Sequence, residues 1–575
     1  MSRPRWTRLS RPRPGRRSMQ RPSPRCGRPS SRSCSLTARP KRRARRATSR
    51  RTSRRTSSRP SCWASLKRRS KRQREAPRVA PERQPLPEVV ERLIDPQVAS
   101  LRVVTDSTAT AGQPVRVTVE ACNEVGAVAR EGEGVVPLVL MGPTGHSKVG
   151  EVAVEDGIGH TEIEVPDAGI YRVEALLKDQ MRAVSDPLEI SAEQPAQALY
   201  WGDVHSHIRE RRAQALISDA DMLMGPSTVE AALTWARDVA AIHFATVSDH
   251  DVKLTDAEWA ETIEVHRRLN EDGRFVTFPG YEWGSSQGFA RNFGHRHVIF
   301  RGNRARGVDP VPLFRNWEPG TDGAPGFFAA LKSAVPIEDV LSVPHHTARG
   351  GGNTWMNWDY CDPELERCCE IFSIWGSSEK MGEPYPIDYL PSGGYFGTGE
   401  ARGHHLQDGL ARGYRFGFTG GSESHDGRPS RPIVHGPHVI SETDFLAPPG
   451  ITGVWAEGFT RDGIFDALRA RRCYATTGAR MIVRFSLGDT PMGGEVAASD
   501  LSRPAELTAS VTGSAPIACC ELVKNNVEID NASSGDTQLT VRLRDSERAE
   551  PGDFYYLRLT QADGEMAWAS PIFIV

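Results

Sequence analysis

The chain lacks the features of a membrane or secreted protein. No apolar run is long enough to span a bilayer, and the start has no apolar stretch of the kind found in secretory signals. The ten cysteines include no Cys-x-x-Cys pair and no regular spacing, which argues against disulfides and favours reduced, structural thiols. We therefore expect a cytoplasmic protein without a membrane span.

Acidic residues are almost absent from the first 80 positions, which hold 29 Lys and Arg and the single acid Glu75. The remainder carries 44 basic and 71 acidic residues, so the net charge of +1 hides a strong split. Residues 1–85 are rich in Arg, Ser and Pro and too poor in apolar groups to form a core, which predicts a disordered extension. A basic tail can bind nucleic acid, but few aromatics accompany this one, and we interpret it as an unselected extension.

Three folded regions are predicted after this head. In residues 96–194 and 481–575, short alternating runs separated by Gly, Asp and Pro predict two β-sandwiches. In residues 198–478, strands alternate with helices, which predicts an α/β barrel with its site at the C-terminal strand ends. The predicted strands there are Leu199–Val204, Phe244–Val247, Phe275–Phe278, Arg296–Phe300, Val340–Val343, Glu370–Ile374, Arg415–Thr419 and Thr452–Ala456. The predicted helices are Thr228–Val239, Asp256–Asn270 and Arg461–Arg472. Two Gly- and Pro-rich stretches, 301–336 and 376–413, are expected to lie over the mouth of the site.

Histidines and carboxylates gather at the ends of the apolar runs in this middle region. The run LYWGDVHSH ends in His205 and His207, and because residues i and i+2 of a strand share a face, both imidazoles can bind one ion. Five later runs supply further candidates. FATVSDH ends in His250, FVTFPGYE ends in Glu282, and VLSVPHH supplies His345 or His346. FGFTGGSESH supplies Glu423 with His425, and FGHRHVIF supplies at least one of His295 and His297. A set of this kind predicts a metal centre.

Several ligand assignments stay open in the sequence. Consecutive residues point apart, so only one of His345 and His346 is expected to face the ions, with His345 favoured. Asp219 is either a loop ligand or a helix-entry cap, and Asp221 is its rival. Asp203 either hydrogen-bonds a ligand imidazole or caps the backbone.

The number of candidate ligands exceeds what one structural zinc ion needs. It fits two or three ions about 3.5–4 Å apart, as in phosphoesterases. Nitrogen and oxygen ligands suit Zn, Mn or Fe equally, and no cysteine lies near these motifs.

The motifs DVHSH, SDH, GYE, PHH and SESH, in this order, resemble those of the polymerase-and-histidinol-phosphatase (PHP) superfamily of metal-dependent phosphoesterases. Longer phrases such as LYWGDVHSH, SIWGSSE and AWASPIFIV resemble domain-of-unknown-function family 3604 over roughly residues 96–575. The resemblance implies a distorted (β/α)7 barrel with two or three ions. It implies one ion at His205, His207, Glu282 and Glu423, a second at His250, His425 and Asp219, and a third at His345 with His295 or His297. The family usually has Asp where Glu423 stands.

These residues predict a metal-dependent hydrolase acting on a small phosphorylated molecule, with a hydroxide bridging the ions as nucleophile. His346 or His297 would protonate the leaving group, and Arg349 and Arg428 would hold phosphate in a fork or, alternatively, serve as surface charge. Glu379 either faces the mouth or caps the following segment. The alternatives are an amide, ester or lactone hydrolase, and a catalytically inert, metal-loaded binding protein. No particular oligomeric state is predicted.

Overall fold

The computed structural model describes Arg92 and residues 95–177, 181–208, 226–285, 292–302, 310–350, 354–382, 384–389, 399–433, 447–501 and 505–575. All of them lie in one compact unit, Pro60–Val575. The predicted disorder of residues 1–85 and the candidate ligand Asp219 lie outside the described residues. Within the described ranges, no helix has the length and apolar character needed to cross a membrane.

The N-terminal region is built from nine strands in two sheets. The strands are β1 (Ser100–Thr105), β2 (Thr108–Thr110), β3 (Pro114–Cys122), β4 (Gly134–Gly142), β5 (Gly145–Val154), β6 (Ile158–Glu164), β7 (Gly169–Leu176), β8 (Arg182–Val184) and β9 (Leu188–Ser191). One sheet has the order β1-β3-β6, and the other has the order β2-β9-β7-β4-β5 with β8 beside β7. Alternate side chains such as Val117, Leu138 and Val173 are buried in one apolar core between the sheets, as expected where each sheet has one solvated face.

Within the described residues, the middle region combines short strands with five α-helices. Its strands are β10 (Ala198–Asp203), β11 (Phe244–Ala245), β12 (Val276–Thr277), β13 (Gly280–Ser285), β14 (Gly294–Phe300), β15 (Val340–His345), β16 (Cys368–Ser373), β17 (Gly376–Ser377), β18 (Gly417–Gly420), β19 (Ile451–Ala456) and β20 (Cys473–Thr476). Its helices are α1 (Val229–Asp238), α2 (Asp256–Leu269), α3 (Ala324–Ala334), α4 (Leu406–Ala411) and α5 (Arg461–Arg469). The three predicted helices correspond to α1, α2 and α5, whereas α3 and α4 lie in the two stretches predicted as loops.

Local sequence explains where the predicted helices begin. Thr228 and Thr460 cap α1 and α5 by accepting a backbone N–H in the first turn. Thr255 and Glu258 form a reciprocal capping box at the start of α2. Each cap satisfies a backbone donor that the helix itself leaves unpaired.

A closed (β/α)7 barrel is not evident among the described strands. Strands β10, β11 and β12 pair in parallel, but β13, β14 and β15 form a separate antiparallel sheet. The physical reason is the connection between β13 and β14, because a parallel neighbour needs a crossover of about a dozen residues or more. Only residues 286–293 separate these two strands. The fold is therefore mixed α/β and rich in sheet, with few helices.

The C-terminal strands extend the sheet of the middle region. They are β21 (Ile482–Leu487), β22 (Thr490–Pro491), β23 (Glu495–Val496), β24 (Glu506–Thr512), β25 (Ile517–Lys524), β26 (Val527–Ala532), β27 (Gln538–Arg544), β28 (Phe554–Gln561) and β29 (Met566–Ile574). Strand β20 pairs with β29 in a ten-stranded sheet of order β12-β11-β10-β19-β20-β29-β28-β25-β26, with β23 beside β29. A four-stranded sheet of order β22-β21-β24-β27 packs on it. The domain boundaries drawn from the sequence stay a prediction.

Glu379 lies at the junction between the middle and C-terminal regions and is fully buried. Its carboxylate accepts hydrogen bonds from the Tyr556 hydroxyl (2.6 Å), the Arg558 guanidinium (2.8 Å) and the Trp568 indole N–H (2.8 Å). Arg558 also pairs with Glu521 at 2.6 Å. Glu379 therefore joins two regions, and its contacts fit neither the mouth-facing nor the capping interpretation.

Replacing Glu379 by Gln tests this junction. An amide presents one acceptor where the carboxylate presents two and leaves the buried Arg558 less well compensated, so the free energy of unfolding is expected to fall by about 3 kcal/mol. Glu506→Gln is the matched control, because Glu506 pairs with Arg544 at an exposed edge, and its effect is expected to stay within about 0.5 kcal/mol. Urea denaturation measures both, and equal losses would contradict the assigned role.

Candidate metal centre

At the end of β10, the Asp203 carboxylate fixes the backbone that carries His205 and His207. Asp203 is buried and accepts hydrogen bonds from the backbone N–H of His205 (2.9 Å), of Ser422 (3.2 Å) and of Ser430 (2.6 Å). The Ser422 hydroxyl donates to it as well, at 2.5 Å. Of the two alternatives for Asp203, its contacts match the backbone-capping one. It ties the first ligand strand to the loop that follows β18.

The ladder registers explain how distant motifs converge. In the antiparallel sheet, Glu282 lies opposite His297, and His295 lies opposite His345. An isolated bridge places His250 beside Glu282. Residues opposite each other in a ladder present their side chains on the same face, so four separate sequence motifs deliver their candidate ligands to one pocket.

Glu282 is the central carboxylate of this pocket. Its Oε1 lies 2.5 Å from His295 Nδ1 and 3.1 Å from His345 Nε2. Its Oε2 lies 3.2 Å from His207 Nε2, and His250 Nδ1 lies 3.4 Å from Oε1. Four imidazoles therefore surround one buried carboxylate.

Glu423 enters the pocket from the loop after β18. Its Oε1 lies 3.9 Å from His205 Nε2 and 3.7 Å from His346 Nε2, and its Oε2 accepts a hydrogen bond from the Ser373 hydroxyl at 3.0 Å. Glu423 has a φ of 47°, which is uncommon for a residue with a side chain.

Both histidines of the PHH motif reach the pocket, contrary to the expectation that only one would. Glu282, His295, His345 and His346 each offer a ligand atom within 4.8 Å of the others. The reason is local backbone geometry, because His346 has a φ of 31° and so does not follow the alternation of a regular strand. His297 also enters the pocket, with its ring 4.1 Å from that of His345.

His425 and His250 flank His207 on its two sides. Their rings stack on that of His207 at centroid distances of 4.9 and 5.0 Å. His425 Nδ1 lies 2.8 Å from the backbone oxygen of Glu423, so it can donate there and leave Nε2 for a ligand role. These positions agree with the predicted ligand set, which nevertheless stays a prediction.

Glu370 is a functional candidate that the sequence did not single out. Both of its oxygens lie 3.0 Å from His205 Nδ1, and Oε2 lies 3.9 Å from His297 Nε2. A Cβ on Gly421 would come 2.1 Å from this carboxylate, so the neighbouring strand end has room only for glycine. A carboxylate on the far nitrogen of a ligating imidazole fixes its tautomer and orientation. The sequence feature that could have identified Glu370 is its position as a lone Glu inside the apolar run CCEIFS.

The described residues form four overlapping ligand groups whose atoms lie within 4.8 Å of one another. These groups are Glu282/His295/His345/His346, His205/His297/His345, His205/His207/Glu282 and His205/Glu370/Glu423. Several imidazole nitrogens in them are buried and make no hydrogen bond to the described residues, namely His205 Nε2, His295 Nε2, both nitrogens of His297 and His345 Nδ1. Buried polar atoms are almost always satisfied in folded proteins, so this donor set fits one or more cations.

Protonation favours the ligating forms of the imidazoles. Burial lowers the pKa of His205, of His297 and of His346 well below the ordinary value, which keeps them neutral and able to bind a metal ion. Burial would raise the pKa of Glu282, but the surrounding imidazoles, His250 foremost, hold it well below its usual range.

The charged forms of Glu423 and Glu370 are stabilised less well than that of Glu282. The pKa of Glu423 is raised to about 8, because burial and the nearby Glu282 charge together outweigh the opposing effect of Arg349. Burial also raises the pKa of Glu370 well above its usual value. A divalent cation would favour the charged form of both.

The two candidate arginines lie in different surroundings. Arg349 donates from Nε to Asp388 at 3.0 Å, and its guanidinium carbon stacks 3.6 Å from the ring centroid of Trp375. Arg428 is buried and paired with Asp426 at 2.8 Å. The surface-charge alternative therefore fails for Arg428, whose pairing gives it a role in holding its own loop.

Replacing Glu370 by Gln tests the role of this carboxylate. An amide orients the Nδ1–H of His205 less firmly, so the affinity for Zn²⁺ or Mn²⁺ is expected to fall about 10–100-fold. Glu366→Gln is the matched control, since Glu366 is equally buried but bonds Arg296 rather than an imidazole. Competition with a chromophoric chelator measures both affinities, and an unchanged affinity in Glu370→Gln would contradict the assignment.

The comparisons with known proteins agree with the sequence motifs. A family model described as "Protein of unknown function (DUF3604)" matches residues 228–381 and 434–518, which confirms the resemblance to that family. An uncharacterized protein of Chlamydia pneumoniae is 27% identical over 433 residues, and one of Chlamydia trachomatis is 28% identical over 438 residues. Each alignment covers 71% of this chain and 62% of the relative, so the chain spans less than two thirds of these proteins.

One solved structure aligns with this chain over most of its own length. It is a two-domain protein from Bacteroides vulgatus described as containing a predicted PHP-like metal-dependent phosphoesterase. It is 12% identical, and the alignment covers 66% of this chain and 96% of that one at a TM-score of 0.31. At this identity and TM-score, neither the fold nor the function of that protein can be transferred to this chain.

Proposed function

We propose that this chain, which matches the DUF3604 family model, is a metal-dependent hydrolase that acts on phosphate esters of small molecules. The observation that carries the proposal is that each of the four ligand groups contains Glu282, His205 or both. Shared ligands support two or three closely spaced ions rather than one structural ion.

Bound ions would supply Lewis-acid polarisation of the phosphoryl oxygens and lower the pKa of water at the site. The protein's own contribution is a rigid, water-poor pocket. His205, Glu282 and Glu370 are all buried, and their mutual contacts fix the ligand atoms before substrate arrives. Preorganised groups of this kind do not need to reorient during the reaction.

Arg349 is the residue we assign to the substrate's anionic group. Asp388 and Trp375 fix its guanidinium in one orientation. Its positive charge acts to lower the pKa of Glu423 and of His346. A guanidinium held in this way can bind two phosphate oxygens at once.

His346 is the residue we assign to the leaving group. His297 is enclosed by the rings of His205 and His345 at 3.9 and 4.1 Å, which suits a ligand. His346 lies beside Glu423 and one turn before Arg349, where the neutral imidazole that its lowered pKa favours can donate an N–H hydrogen bond to the leaving oxygen.

Turnover of a substrate panel tests the proposal. The full-length protein, supplied with Mn²⁺, Zn²⁺ or Fe²⁺, is expected to hydrolyse phosphate esters, and the double variant His205→Ala/His207→Ala is expected to lose at least about 10³-fold of this activity. Preferential cleavage of amides or lactones would contradict the phosphoesterase assignment. Tight metal binding without any turnover would favour the inert binding protein.

Arginine-to-lysine variants test the anion fork. Arg349→Lys keeps the charge but loses the second hydrogen bond and the stacking on Trp375, so KM for a phosphomonoester is expected to rise about tenfold. Arg428→Lys is the control, because Arg428 is paired with Asp426, and its KM is expected to change less than about twofold. Steady-state kinetics measure both, and a larger rise for Arg428→Lys would reverse the assignment.

A further inference from the structure

We propose that the N-terminal β-sandwich positions the metal-site loop, defined here as residues 420–433, through an ion pair between Glu120 and Arg431. The loop carries Glu423 and His425. The inference rests on the metal centre of the proposed function and adds a positioning role for a region that contributes no ligand of its own.

The metal-site loop has a strained backbone. Glu423 and Ser430 have φ values of 47° and 67°, where residues with a side chain are uncommon. Gly427 has a φ of 71°, and a Cβ there would meet the backbone oxygen of Pro226 at 2.0 Å. For Glu423 and Ser430, such conformations are strained and persist only when surrounding contacts fix them.

Two carboxylates fix the loop at several points from within the middle region. Asp203 accepts hydrogen bonds from Ser422 and Ser430. Asp426 accepts from the backbone N–H of Arg428 at 3.1 Å and of Ile433 at 2.8 Å. These contacts shape the loop, but they come from the strand it faces and from the loop itself.

Arg431 supplies a contact from a different region. Its guanidinium pairs with the Glu120 carboxylate on β3 and donates to the Gly126 backbone oxygen at 3.2 Å. Both acceptors belong to the N-terminal β-sandwich. The exit of the metal-site loop is therefore tied to a different region of the chain, the N-terminal β-sandwich.

The charge balance at Glu120 argues for a positioning role. Glu120 is buried and already pairs with Arg102 at 3.3 Å, so one arginine balances its charge before Arg431 is counted. Buried ion pairs contribute little net stability, and retaining them is better explained by the geometry they specify. Here the geometry specified is that of the loop bearing Glu423 and His425.

A Co²⁺ titration of the full-length protein tests the inference, with the visible absorption bands of bound Co²⁺ reporting ligand geometry. Arg431→Gln is expected to weaken at least one Co²⁺ site about tenfold and to change its spectrum, as loss of a group that orients ligands does. Arg431→Lys is expected to restore most of the affinity. Glu120→Gln, which removes the charge from the other side, is expected to reproduce the loss.

Arg102→Gln is the matched control. It removes an arginine from the same carboxylate, but Arg102 otherwise contacts the Val239 backbone oxygen rather than the metal-site loop. Its Co²⁺ isotherm is expected to match that of the wild type. A wild-type isotherm and spectrum in both Arg431→Gln and Glu120→Gln would overturn the inference alone, as would an equal loss in Arg102→Gln. Absence of Co²⁺ binding by the wild type would overturn the metal centre and this inference with it.

Discussion

The burial of Glu282, Glu370 and Glu423 in one pocket is the constraint on which the rest of the structure depends. Each carboxylate is nearly inaccessible to solvent, and taking such a charge out of water costs several kcal/mol unless it is paired. Two of the imidazoles around them are neutral, because burial lowers the pKa of His205 and of His297 well below the ordinary value. Bound cations would balance this negative charge and occupy the imidazole nitrogens that lack hydrogen bonds.

The surrounding architecture keeps these groups together against their mutual repulsion. The β13–β14–β15 ladder fixes Glu282 opposite His297, and Asp203 joins the end of β10 to the loop that bears Glu423. Glu379 ties the same region to the C-terminal strands. The strained φ at Glu423 and at His346 is thus supported by contacts from several regions, as strain at functional sites generally is.

Most of the residues that meet in the pocket could be picked out from the sequence, whereas the strand arrangement around them could not. Side-chain alternation places His205 and His207 on one face, and this rule depends only on local geometry. It failed at His346, whose φ of 31° departs from that of a regular strand. Glu370 was missed because a single Glu in an apolar run has no partner nearby in the chain. The closed barrel was expected from strand–helix alternation, but the short connection between β13 and β14 imposes antiparallel pairing. Helix α3 was overlooked because glycine and proline flank an otherwise helix-favouring segment.

The most direct test of the account is the metal content of the full-length protein, measured by inductively coupled plasma mass spectrometry after loading with Zn²⁺ or Mn²⁺ and removal of excess ion. The account predicts two or more ions per chain. A protein that stays folded and retains no ion would contradict it, because the buried carboxylates would then have to be stabilised by protonation alone.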